Sequence, residues 1–269
     1  MVEGRRDPRV RALQHRLTRP ARRTALPVLR GPGRGLRVKA GESILRVSGR
    51  GEAAVEEALL GLLRPGDVVY DVGANVGWYS LLAARAVGPA GSVVAFEPSL
   101  ENALLAQQNA AVNGFENVTV VPAALTDHDG WMTFLTRGSL EGRLDLQEGP
   151  GADRGDERHG SGQELLVPVA SLDSWLSLVD RPAPTLVKID VEGAEVGVLR
   201  GMRRTLAEAR PTIIVELHGT REAVLDELDA AGYEHAPIER DVPSREAPWW
   251  AHILARPRAS EPDRSESTA

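Results

Sequence analysis

Apolar positions along this chain alternate between two periods. Short, nearly continuous apolar runs, rich in β-branched residues, are the mark of buried strands. Between them lie stretches where apolar residues recur three and four apart, as on one face of a helix. "DVVYDVG" (67–73) is a predicted strand, followed by a helix from about Trp78 to Val87. "SVVAFEP" (92–98) is the next, with a helix from Ser99 to Asn113 and Gly114 in the C′ position that favours glycine. "NVTVVPAAL" (117–125) reads as a third strand. "TLVKIDVEG" (185–193) precedes a helix striped by Val198, Leu199, Met202 and Leu206. "TIIVEL" (212–217) precedes another, with Thr220 as N-cap and Gly232 past its end, and "WWAHILAR" (249–256) is the last strand. Strands alternating with helices of this length predict an α/β fold, a doubly wound and mostly parallel sheet with helices on both faces.

The flanks break this rhythm. Residues 1–35 have no usable periodicity and are predicted to be a basic, flexible arm. Residues 36–51 read as a small strand-rich extension, 52–257 as the main domain, and 258–269 as a disordered tail. A helix is expected from Glu52 to Leu63. "WMTFLT" (131–136) and "ELLVPVASL" (164–172) read as hairpin strands around a polar loop, 137–163, that is either a substrate-side flap or a plain insertion.

Composition narrows the chemistry. With 269 residues, 42% of them hydrophobic, one full-sized core can form. The absence of cysteine excludes disulfides, thiolate metal sites and cysteine nucleophiles. No apolar run reaches the length of a membrane span, so a soluble cytoplasmic protein is expected. The net charge is −6, yet the first 50 residues hold only three acids, Glu3, Asp7 and Glu42. An arginine-rich arm can bind nucleic acid by counterion release. It carries no interleaved aromatic residue for base stacking, which argues against that partner. Oligomeric state is not readable, although Trp249 and Trp250 could face a partner.

The first strand stops in glycine. Gly73, Asn75 and Gly77 form G-x-N-x-G, and Asn is one of the few residues that can replace glycine in the left-handed region. A nicotinamide-dinucleotide fingerprint would place a third glycine at position 78, which is Trp, and no Lys-Ser/Thr pair completes a phosphate loop. Asp71 just before the loop would repel a pyrophosphate and suits an ammonium group. Glu97, ending the next strand, can accept hydrogen bonds from both hydroxyls of a ribose. Ala124, Leu125 and Asp127, at the third strand end, are placed to hold an adenine. Amine, ribose and adenine on three successive strand ends describe S-adenosylmethionine. Trp78 and Tyr79 flank the loop; one is expected to pack on the sheet and the other to face the ligand.

A second concentration of charge lies at the ends of the later strands. Lys188 and Asp190 share one face of their strand, as do Glu216 and His218, because side chains alternate. Charged groups near mid-sheet are costly unless paired or used. Lys188 is either catalytic or a structural partner of Asp190 or Glu216. His218 is the leading general base, since its ordinary pKa lies near working pH. Glu192 and Glu195 open a helix, where acids are favoured in any case. Asp190, Glu216 and His218 could alternatively ligate a divalent cation; no metal is assigned from the sequence.

These motifs resemble the FkbM family of S-adenosylmethionine-dependent methyltransferases. The resemblance rests on "DVGANVGWYS", "FEPSLENALLAQQNAAVNG", "PAALTDHDG", "SLDSW", "VKIDVEGAEVGVLRG" and "IIVELHG", and covers about Glu52 to His235. It implies a Rossmann-like methyltransferase fold and O-methylation of hydroxyls on small molecules, sugars or secondary metabolites. It implies that Asp71, Gly73, Asn75 and Gly77 form the methionine-side loop and Glu97 the ribose contact. It gives no precedent for the arm or for the loop 137–163. The competing expectations are a nicotinamide-dinucleotide oxidoreductase and a nucleic-acid methyltransferase using the arm.

Overall fold

The computed structural model of the chain describes residues 24–39, 52–137, 141–144 and 163–259. The expectations for residues 1–23, the 40–51 stretch, most of the polar loop and the tail from 260 lie outside the described residues. Among the described residues no helix is long and apolar enough to cross a membrane.

A seven-stranded sheet forms the centre. In chain order its strands are β3 (Val68–Val72), β4 (Ser92–Phe96), β5 (Val118–Val121), β10 (Leu186–Ile189), β11 (Thr212–Glu216), β12 (Tyr233–Pro237) and β13 (His252–Pro257). In space they run β12-β13-β11-β10-β3-β4-β5. Strands β5, β4, β3, β10 and β11 are parallel neighbours, while β13 pairs antiparallel with both β11 and β12. The sheet is thus doubly wound and mostly parallel. The chain leaves β3 towards β4 on one side and returns to β10 on the other, so the strand order reverses between β3 and β10. Such a switch point opens a crevice beyond the strand ends.

Helices cover both faces, and each face has its own apolar core. Helices α1 (Ala53–Leu62) and α2 (Trp78–Val87) press Leu59, Leu81 and Leu82 against Val69, Val93 and Ile214. On the other face α4 (Leu172–Leu178), α5 (Glu195–Arg200), α6 (Arg203–Glu208) and α7 (Arg221–Ala230) bury Leu199, Met202 and Leu225 against Val72, Val187 and Val215. The stripe from Val198 to Leu206 is therefore carried by two short helices rather than one. Thr220 does sit at the N-cap of α7 but makes no capping bond with its side chain; its hydroxyl donates to Glu195 instead, at 2.7 Å.

The third predicted strand divides. Its first half is β5, and its second half, β6 (Ala124–Leu125), belongs to a separate four-stranded sheet ordered β6-β9-β7-β8. There β7 (Gly130–Arg137) and β9 (Glu164–Ala170) form the expected antiparallel hairpin, joined by β8 (Glu141–Leu144).

The N-terminal boundary also shifts. Strand β1 (Leu26–Pro27) pairs antiparallel with β2 (Arg37–Val38), so the segment from residue 24 belongs to the fold and not to a free arm. Helix α3 (Leu100–Val112) and its C-cap dock this ribbon through two asparagines one turn apart. Asn113 accepts from the amide of Arg37 (2.8 Å) and donates to its carbonyl (2.7 Å), and Asn109 accepts from the amide of Lys39 (2.7 Å).

Candidate active site

A cavity of about 380 Å³ sits at the switch point, beyond the carboxyl ends of β3, β4 and β10. One side is the loop after β3. Asn75 takes φ +52°, the left-handed conformation expected of it. Gly73 also has positive φ, and a Cβ there would lie 1.8 Å from the carbonyl oxygen of Asp190. Close approach of β10, and not of a ligand, is what demands that glycine. Gly77 answers to helix packing, since its Cβ would crowd Ala106 on α3 at 3.1 Å. Gly77 is not on the cavity wall, whereas Gly73, Ala74, Asn75 and Val76 are.

The amides of this loop are consumed internally. Gly73 and Ala74 donate to the carbonyl of Phe96, Asn75 to Glu97, Val76 to the side chain of Asn75, and Gly77 to the carbonyl of Ala74. No N–H from Gly73 to Gly77 remains to cradle a pyrophosphate, which is what a nicotinamide dinucleotide would need.

Glu97 is 5% exposed and lies on the wall. One carboxylate oxygen accepts from the amide of Asn75 and the other from that of Ser99, both at 2.8 Å. It thereby ties the glycine loop to the start of α3. Burial pushes its pKa up to about 7, against the pull of those amides. The side chain of Asn102 also bonds to this carboxylate, so only part of its acceptor capacity is left for a ligand.

Asp71 is placed differently from the expectation. It is buried in mid-sheet, off the cavity wall, with Oδ2 accepting from Ser80 at 2.5 Å and Oδ1 without a hydrogen-bond partner. Burial raises its pKa, opposed by the nearby ammonium of Lys188. At the adenine end, Ala124 and Leu125 line the cavity, joined by Phe134 and Leu144 of the small sheet. Asp127 does not; it is exposed and bonds to His128 at 2.8 Å. Trp78 and Tyr79 both border the cavity and both are buried. Trp78 donates to Glu56 at 2.8 Å, while the Tyr79 ring lies 4.3 Å from Lys188 Nζ.

The opposite wall is acidic. Glu52, Asp190, Glu192 and Glu216 line it. Lys188 is 2% exposed, off the wall, and pairs with Asp190 at 3.0 Å, so it is a buried counter-ion and does not reach a substrate. Burial works against the charged form of Asp190, but the ammonium of Lys188 holds its pKa below the ordinary carboxylate range. His218 also stands behind the wall. Its Nδ1 is 2.8 Å from Glu195, and its Nε2 faces Glu216 (3.6 Å), Glu192 (3.9 Å) and Asp190 (4.0 Å). Burial lowers its pKa, but the bond and charge of Glu195, with Glu216 and Glu192, carry it up to about 9. At neutral pH it is already protonated, contrary to its expected role as general base. Glu195 is fully buried and accepts from Gly193, His218 and Thr220, far more than helix-end stabilisation requires.

Sequence reading missed Glu52, Asn102, Phe134 and Leu144 on the wall. Only Asn102 carried a signal, lying one helical turn into the stretch that follows Glu97.

A doubly wound, mostly parallel sheet with an acid-lined crevice at its switch point and no free loop amides for a phosphate defines the class, an α/β fold with its site at the strand ends. The profile of the FkbM methyltransferase domain matches residues 71–235, and the chain belongs to that family of methyltransferases. The chain is 28% identical over 183 residues to the hexuronic acid methyltransferase AglP of Haloferax volcanii, covering 67% of this chain and 69% of that one. It is 30% identical over 175 residues to the 31-O-demethyl-FK506 methyltransferase FkbM of Streptomyces tacrolimicus, covering 58% and 67%. Among solved structures, the FkbM methyltransferase of Methylobacillus flagellatus superposes with a TM-score of 0.48 at 19% identity, covering 72% of this chain and 45% of that one.

Proposed function

We propose that this cavity binds S-adenosylmethionine and methylates a hydroxyl group on a small-molecule or glycosidic acceptor. One observation carries the reading. The cavity wall bears five carboxylates, from Glu52, Glu97, Asp190, Glu192 and Glu216, and among the described residues no Lys, Arg or His lines it. Such a site favours a ligand with positive charge, and a sulfonium with an ammonium group meets that condition where a dinucleotide phosphate does not.

Bound there, the donor supplies an electrophilic methyl carbon on sulfur. Glu97 would accept from the ribose hydroxyls on the acceptor capacity that Asn75, Ser99 and Asn102 leave it. Ala124, Leu125 and Phe134 would enclose the base in an apolar slot. The acceptor would enter on the acidic side, where the Asp190 carboxylate would accept the proton of the hydroxyl to be methylated. Protonated His218 and buried Lys188 offset the charge gathered behind Asp190 and Glu216. Holding both reactants at near-attack distance supplies much of the acceleration. The two curated relatives are named for a hexuronic acid and for an oxygen of FK506, which supports a hydroxyl acceptor here without naming it.

The test is a screen of hydroxylated metabolites and glycosides with the donor, read by mass spectrometry for a gain of about 14 Da. A methylated oxygen, lost in Asp190→Asn, is the expected result. Saturable binding of a nicotinamide dinucleotide with no methyl transfer would overturn the reading.

A further inference from the structure

A second cavity, of about 300 Å³, adjoins the first, and Glu52 and Glu216 stand on the walls of both. His252, the first residue of β13, also lines it and is 3% exposed. Glu239 holds this histidine twice, accepting from its backbone amide at 3.1 Å and lying 2.5 Å from ring Nδ1. In the neutral ring whose Nδ1 proton is directed to Glu239, Nε2 carries the lone pair. Yet Nε2 points at acids. It is 3.2 Å from Glu216 Oε2 and 3.8 Å from Glu52 Oε2, and it makes no hydrogen bond. A buried lone pair facing two carboxylates is unfavourable, so either a proton on Nε2 shared with Glu216 or a cation between the three groups must resolve it. Glu52 Oε2 also accepts from the Tyr79 hydroxyl at 2.5 Å.

The spacing fits a metal ion. The three donor atoms all lie within 4.8 Å of one another. Two ligands each about 2.1 Å from one ion stand roughly 3.0–4.2 Å apart, which matches both measured separations. A separation of 3.8 Å is too long for a hydrogen bond. An imidazole whose Nδ1 is fixed by a carboxylate, leaving Nε2 outward, has the orientation of a metal ligand.

We propose that Glu52, Glu216 and His252 hold a divalent cation at the junction of the two cavities. One imidazole and two carboxylates suit an ion such as Mn²⁺ or Zn²⁺. Because Glu52 and Glu216 also face the methyl-transfer cavity, the remaining coordination positions open towards the acceptor, where a vicinal diol or a uronate carboxylate can fill them. The cation would offset the acidic wall and so admit an anionic sugar. This acceptor role rests on the methyltransferase reading; the binding of the ion does not. The rival location is Asp190, Glu216 and His218, whose donors also lie within 4.8 Å of one another.

Mn²⁺ titrated into the metal-free full chain, followed by electron paramagnetic resonance, tests the site. One saturable site is expected in the wild type. His252→Ala and Glu52→Gln should each weaken it about tenfold or more, while His218→Ala leaves it unchanged. Glu52 is half-exposed, so E52Q keeps the test available should H252A fail to fold. No saturable Mn²⁺ binding, or loss in H218A with retention in E52Q, overturns the proposal. Saturable binding in the expected pattern upholds the site even if no acceptor is methylated, whereas methyl transfer without saturable Mn²⁺ overturns the site alone.

Discussion

The two ends of the cavity are built by different means. The donor end is held by backbone: the loop from Gly73 to Gly77 and Glu97, at the ends of two adjacent strands, are tied together by main-chain amides. The acceptor end is assembled across strands and helices. Asp190, Glu195, Glu216, His218 and Lys188 come from three elements and the turns after them, and their properties are set by one another. Because those bonds are to main chain, they depend little on neighbouring side-chain identity, which makes the donor end readable. Cross-strand construction sets the acceptor end's ionisation against burial: Lys188 holds the pKa of Asp190 down, and Glu195 carries that of His218 up.

The comparison breaks most sharply at Asp190. Asp190→Asn should cut the methyl-transfer rate by about 10²–10⁴-fold while donor affinity changes little; a parallel loss of affinity would mean that the two ends are one. Next, Gly73→Val forces a side chain onto the carbonyl of Asp190. It should cost about 3–5 kcal/mol, read as a lower midpoint in denaturant.

Glu97→Ala follows, removing the partner of two amides and the group proposed to hold the ribose. Donor affinity should fall about 100-fold by calorimetry, since bonds to a charged acceptor contribute about 1.5–3 kcal/mol each. The carboxyl also predicts a pH dependence. Its pKa is about 7 when folded against 4.5 ordinarily, so the folded chain holds the proton more tightly. The stability this contributes is complete below pH 4.5 and lost as pH rises through about 7, on the order of 3 kcal/mol in all. Thermal unfolding of the cofactor-free chain should show that slope, and Glu97→Gln should flatten it. Donor binding runs the other way, strengthening up to about pH 7 as the acceptor carboxylate ionises. The smallest effect is expected at Thr220, where Thr220→Val removes one bond to Glu195 and should cost about 1 kcal/mol.

The contrast between the two ends also decides what was legible beforehand. Strand and helix order, the left-handed Asn75 and the place of Glu97 at the cavity follow from period and residue type alone. Asp71 misled because a carboxylate before a glycine looks available, and only the packing of Ser80 shows it turned away beneath the loop. Asp127 misled because the third strand splits between two sheets, which leaves it on an exposed turn. His218 could not be read without Glu195, twenty-three positions away in sequence, whose bond reverses the effect of burial on the ring. The ribbon at residues 24–39 was hidden because Val28, Leu36 and Val38 are buried only by docking on α2 and α3.

The most direct measurement is a crystal structure with S-adenosylmethionine bound. The account predicts both ribose hydroxyls within about 3 Å of the Glu97 carboxylate and the methyl group directed at Asp190 and Glu216. A donor lying elsewhere, or bound with its ribose away from Glu97, would contradict it.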